Sequence, residues 1–216
     1  MTHSSELIIL ASTKIGEKAV VLHCLSLEWG RRSFICTVSR TAPMSLFLPL
    51  NILNGEVHEN TKSDLWRVNS LTAAHPLSGI RGNIFKNTMT LFMSEVLYRT
   101  IKDGANEDGL FEWCKKSILT LDALENDFAN YHLRFLLELA GALGFRPDME
   151  DIAPFAGERF REIKDLLSLG FAESMLLPLN GESRNEIAEI LVKYLSYHTE
   201  AAITVRSLPV LRELYR

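Results

Sequence analysis

Cysteine is scarce: only Cys24, Cys36 and Cys114 occur in 216 residues. An odd, widely spaced set in a chain long enough to bury its own core excludes a disulfide-stapled secreted scaffold and points to a reducing compartment. The three read as small core hydrophobes. Long apolar runs are missing as well. The richest stretch, Leu46 to Leu53, is broken by Pro49 and Asn51, well short of the roughly 18 residues a membrane span requires. The opening Met1 to Glu6 is polar and acidic and lacks the basic and apolar regions of a secretory leader. A cytoplasmic protein with no membrane association is the expectation. Basic residues are outnumbered, 23 Lys and Arg against 27 Asp and Glu, for a net charge of -4. That balance excludes a protein coated all over in basic surface.

Catalytic constellations are also absent. The sequence holds no Gly-x-Ser-x-Gly elbow, no phosphate-cradling loop ending in Lys-Ser/Thr and no dinucleotide fingerprint. Zinc would need closely spaced Cys or His, yet Cys24 and Cys36 are twelve apart and Cys114 falls in a predicted helix. His23 beside Cys24 faces the other side of a strand, and His3, His58, His75, His132 and His198 are scattered. A metal-dependent nuclease would need clustered carboxylates, whereas the acidic residues here fall on the solvated faces of amphipathic helices. The expectation is a non-enzyme with no catalytic residue, no metal and no cofactor.

What is present divides in two. The first 75 residues carry five short strand patterns, at Leu7 to Leu10, Ala19 to Leu27, Ser33 to Val38, Ser45 to Val57 (a long broken strand) and Leu65 to Leu71. Turn chemistry at Lys14-Ile15-Gly16-Glu17, Glu28-Trp29-Gly30-Arg31, Asn54-Gly55 and Asn60 to Asp64 separates them. Five strands with tight connections suggest a small barrel, because closure removes exposed edges.

After His75-Pro76 the period becomes helical. Ile84, Phe85, Met89, Phe92, Val96 and Ile101 mark one helix stopped by Gly104, with the Met89 to Met93 segment read as core stripe. A second begins at Asp108, and a third runs from about Asp127 to Leu143, with Gly144 placed to close it. A capping box at Ser183 to Glu186 announces a fourth, and residues 207–216 add a short last one. The predicted class is α+β multidomain: a barrel of the oligonucleotide-binding (OB) type over 1–78, then an all-α domain over 79–216 with an irregular insertion at about 146–182.

Charge is unequally shared between these parts. Residues 1–78 hold seven basic against six acidic groups, while Lys14 to Arg40 alone holds five against two. Any polyanion site should therefore lie in the first third.

The order of small motifs carries a resemblance. Ile15-Gly16-Glu17-Lys18, Ser26-Leu27-Glu28-Trp29-Gly30-Arg31, Val38-Ser39-Arg40 and Leu46-Phe47-Leu48-Pro49-Leu50 follow one another. They resemble the turn, hairpin, basic strand end and Leu-x-Pro segment of the amino-terminal barrel of RecO proteins. Phe92-Met93-Ser94-Glu95-Val96-Leu97-Tyr98, Phe135 to Leu139 leading to Leu143-Gly144-Phe145-Arg146-Pro147, and Ser207-Leu208-Pro209-Val210-Leu211 resemble that family's helical half. The resemblance implies a DNA repair and recombination mediator. Such a protein binds single- and double-stranded DNA, anneals strands, and works with RecR and single-strand-binding protein to load the RecA recombinase. Two departures stand out. Asp148 to Gly181 lacks the four zinc-binding cysteines of many relatives, and Thr41-Ala42-Pro43-Met44 replaces a basic stretch.

On this resemblance, Lys14, Lys18, Arg31, Arg32 and Arg40 would neutralise phosphates in a groove while Trp29 or Phe34 offers a base a stacking face. A rival expectation makes the helical domain a scaffold for the acidic, hydrophobic tail of single-strand-binding protein, with Lys115-Lys116 or Arg99 and Lys102 as its cations.

Overall fold

A computed structural model describes residues 2–39 and 43–214. Its contacts gather into two compact units, Met1–Ser78 with Ile101–Ile118, and Gly79–Thr100 with Leu119–Arg216. The segment from Ile101 to Ile118 therefore packs with the barrel.

The first unit is a closed five-stranded barrel of β1 (Thr2–Ile15), β2 (Ala19–Ser26), β3 (Gly30–Thr37), β4 (Ile52–His58) and β5 (Trp66–Ala73), in the order β1-β2-β3-β5-β4. β1, at 14 residues, is more than three times as long as its apolar run Leu7 to Leu10 because its two halves serve different neighbours. Thr2 to Ile8 pairs with β4, Leu7 to Ile15 pairs with β2, and the register shifts between Ile9 and Ala11. A bulge there bends the strand around the barrel corner. The other connections are antiparallel except for the closing one: β3 and β5 run parallel and pair only at Phe34 with Trp66 and Ile35 with Arg67. Leu7, Ile9, Val20, Leu22, Phe34 and Leu53 fill the interior with no exposed surface. The broken strand expected over Ser45 to Val57 is instead a 3-10 turn, Met44–Phe47, followed by β4. Pro49 removes a ladder donor and Leu50 turns at φ 59°.

The barrel unit ends with a loop after Ile101 and the start of α3 (Leu110–Ala123). Gly30 sits at φ +62°, and a Cβ there would lie 2.0 Å from the Ala105 carbonyl oxygen. Only glycine permits that approach.

The second unit holds α1 (Ser78–Arg81), α2 (Ile84–Thr100), α4 (Tyr131–Ala142), α5 (Met149–Ala156), α6 (Phe160–Ser168), α7 (Phe171–Leu176), α8 (Gly181–Thr199) and α9 (Leu208–Leu214). α8 packs on α4, α5 and α2, and α9 packs on α2 and α8. Met89, Phe92 and Met93 are fully buried, as their spacing predicts. Gly144 takes φ +91° just past α4. The stretch expected to be irregular contains α5 to α7. α5 is capped by Asp148, whose carboxylate accepts from the Glu150 and Asp151 amides at 2.8 and 2.9 Å. α8 starts three residues before the expected capping box, at Asn180, whose side chain accepts from the Ser183 amide. Glu95 of α2 accepts from the amides of Arg206 and Ser207, both at 2.9 Å, and so fixes the start of α9. Among the described residues no helix is long and apolar enough to cross a membrane.

Candidate nucleic-acid interface

The five cations singled out from the sequence do not share one groove. Lys14, near the end of β1, and Lys18, in the following turn, are both exposed beside Gly16 at φ +65°. Lys14 pairs with Val20 and Ile15 with Ala19, so the ladder runs up to the turn. The Val38 amide donates to the Lys18 carbonyl at 2.8 Å and so brings the end of β3 to the same place. Arg40, two residues further on, lies outside the described residues.

Arg31 and Arg32 stand on β3, where alternation sends neighbours to opposite faces. They are also remote from the hairpin. Arg32 is level with Cys24 while Thr37 is level with Ala19, about 17 Å along the strand.

Arg31 works as a clamp. Its guanidinium donates to the Ile101 carbonyl and lies 3.9 Å from the Asp103 carboxylate. Its backbone accepts from the Gly104 amide at 2.8 Å and donates to the Ala105 carbonyl at 3.0 Å. Half-buried His23 is held on the same side by a 2.8 Å contact with Ser33 Oγ. Burial, with the Arg31 charge acting in the same sense, depresses its basicity. Arg31 thus fixes the loop after Ile101 rather than facing solvent.

Arg32 shares its parity with Phe34 and Cys36, which point into the core. Near the start of the strand that direction leads to the barrel rim, where its guanidinium lies 4.0 Å over the Trp66 ring. Trp66 is edge-on to Trp29 at 5.4 Å, and Trp29 is edge-on to His3 at 5.9 Å. His3 Nε2 is 3.2 Å from Glu59. Both indoles are half-buried and pack on the core from its end. Exposed Arg67 follows Trp66, level with His58. Trp29 therefore keeps an accessible ring, but Phe34 has 0% exposure and cannot meet a base. Trp66, not singled out from the sequence, is the second half-buried ring at that rim. Its place depends on the parallel closure of β3 on β5, which no local pattern announces.

The cysteines offer no thiolate. Burial raises Cys24 far above its ordinary value, Cys36 to about 11 and Cys114 to about 12. No group of three or more His, Cys, Asp or Glu suited to a metal occurs among the described residues.

Of the cations considered for a partner tail, Lys115 is paired with Glu6 at 2.6 Å, and Arg99 lies over its neighbour Tyr98. Lys116 and Lys102 are exposed. A different feature combines apolar and charged character: a cavity of about 420 Å³ in the helical unit, lined by Leu137, Met149 and Leu166 with Arg146 and Lys164, and with Arg134 paired to Glu138 at 2.7 Å and Asp148 also at its wall.

The fold and rim define a class, an OB-type barrel joined to an all-α domain. Residues 81–153 match the family model described as the C-terminal domain of recombination protein O. The chain is 26% identical to the DNA repair protein RecO of Flavobacterium psychrophilum over the whole of both chains. It is 28% identical to the protein of the same name from Bacteroides fragilis, over 96% of this chain and 97% of that one. The chain is thus similar to RecO proteins along its whole length, and its residues 81–153 match their C-terminal model.

Proposed function

We propose that the chain is a non-catalytic DNA-binding protein of DNA repair and homologous recombination. On this reading it binds single- and double-stranded DNA and promotes annealing in the cytoplasm, with no metal or cofactor. Together with RecR it helps load RecA on strands covered by single-strand-binding protein. The observation that carries the reading is the distribution of cations on the barrel. A hairpin offers Lys14 and Lys18 to solvent, and at a separate rim the Arg32 guanidinium lies over the Trp66 indole with Trp29 edge-on beside it, while Arg67 is exposed on the outer face of β5. The relatives' name, DNA repair protein RecO, agrees with it. Lysines at a hairpin tip contact phosphates and carry no sequence information, so their contribution is counterion release.

Changing Lys14 and Lys18 together to Ala should weaken binding of a labelled strand. It should also flatten the slope of log affinity against log salt by about 1.5. An unchanged slope would remove the hairpin from the interface.

The helical cavity favours a second reading, a scaffold that holds the acidic, hydrophobic tail of single-strand-binding protein with little direct DNA binding. Leu137, Met149 and Leu166 would take the apolar side chains, and Arg146 and Lys164 the charge. A tail-peptide titration against Arg146→Glu separates the two, because DNA affinity would be untouched.

A further inference from the structure

We infer that Trp29, Arg32 and Trp66 form a stacking subsite for a nucleobase freed from its pair. This rim, and not the Lys14–Lys18 hairpin, would then make the barrel favour single strands over duplex. The inference rests on the nucleic-acid reading above and assigns its strand selectivity to particular side chains.

The two ends of the barrel differ in chemistry. At the hairpin the exposed cations have no aromatic beside them that the structure records, so that end can only neutralise phosphate. At the rim a guanidinium lies 4.0 Å over an indole, and a second indole is edge-on 5.4 Å away. Arg32 has no ion pair among the described residues, and its Nε finds no hydrogen-bond partner there. Arg31 is the contrast, one residue away and engaged with Ile101 and Asp103. Arg32 is therefore placed by its stacking on Trp66, and its terminal guanidinium N–H groups, not the buried Nε, are the donors that would meet an incoming phosphate or base edge.

A paired base has both faces covered by its neighbours, so an indole can reach it only after unstacking. Lysine contacts with the backbone make no such distinction. The indoles are half-buried where the core ends, which limits their motion and lowers the cost of ordering them around a base.

The two contributions separate on a salt axis, because stacking releases no counterions and phosphate contact does. The test uses the whole chain with an oligothymidylate and a blunt duplex of equal length across a salt series. Trp66→Leu should lower single-strand affinity roughly five- to hundred-fold and leave both the duplex affinity and the salt slope unchanged. Trp66→Phe should restore most of the loss. Arg32→Gln should reduce the single-strand slope by about one. In the unaltered protein, single strand at saturation should quench indole emission and duplex should not, and Trp113→Phe should leave that quench in place. Equal losses on both nucleic acids with Trp66→Leu, or unaltered emission at saturation, would overturn the inference while leaving the DNA-binding reading intact. Failure of both nucleic acids to bind would overturn both readings.

Discussion

Acid should destabilise the helical unit through one imidazole, and replacing it should remove much of the effect. His132 on α4 is 1% exposed and edge-on to Phe92 at 5.9 Å. Burial above all, then the Arg184 charge, pushes its pKa down from 6.5 to about 3, against a smaller opposing contribution from a backbone hydrogen bond with Ala129. The folded state therefore binds the proton more weakly than the unfolded chain. Neutral His132 contributes fully above pH 6.5, and stability is lost as pH falls below that value and on towards 3. The linkage relation gives a loss of about 2 kcal/mol at pH 5 and about 3 kcal/mol at pH 4 from this group alone. Urea unfolding followed by circular dichroism at pH 7.5, 6, 5 and 4, conditions spanning roughly the fall predicted by linkage, gives the curve. His132→Leu should be flatter than the unaltered protein by that amount. Parallel curves would refute the assignment of a depressed, proton-excluding imidazole.

Other positions give sharper single values. Gly30→Ala should cost at least about 3 kcal/mol, because it adds a Cβ 2.0 Å from the Ala105 oxygen at a positive φ, whereas Gly104→Ala, at φ +75° with nothing within 4 Å, should cost about 1 kcal/mol. Thermal denaturation of the two variants checks the ordering. Lys86 is 3% exposed and donates to the carbonyls of Asp122 and Leu124. Lys86→Met should lower unfolding free energy by about 2 kcal/mol, since two acceptors lose their donor. Cys24, Cys36 and Cys114 should resist a thiol reagent at pH 8 until the chain is unfolded, and rapid labelling of the native protein would contradict their burial.

Much of the architecture is legible in the sequence because periodicity is local. The helical period of α2, the glycine after α4 and the turn at Gly16 need no distant partner to be recognised. Strand β1 is only half legible. Thr2 to Glu6 and Ser12 to Ile15 are largely polar and become strand through pairing with β4 and β2, which a local pattern cannot show. Residues 149–176 fold into helices too short for a clear period, set off by Asp148 and Gly170. The site divides in the same way. Lys14 and Lys18 are identified by a turn between two strands. The clamp role of Arg31 depends on a carbonyl seventy residues away, and the pairing of Arg32 with Trp66 depends on a parallel closure of two residue pairs. Alternation along β3 does predict that adjacent arginines part company, and it also places Phe34 inside.

On the DNA-binding reading a chain of net charge -4 attracts and aligns nucleic acid through a few exposed cations on its barrel. Fluorescence-detected annealing of complementary oligonucleotides over a salt series tests it most directly. The barrel should accelerate pairing at low salt by relieving phosphate repulsion, and the acceleration should disappear as salt rises. Pairing no faster than the spontaneous rate at low salt, or an acceleration indifferent to salt, would contradict it.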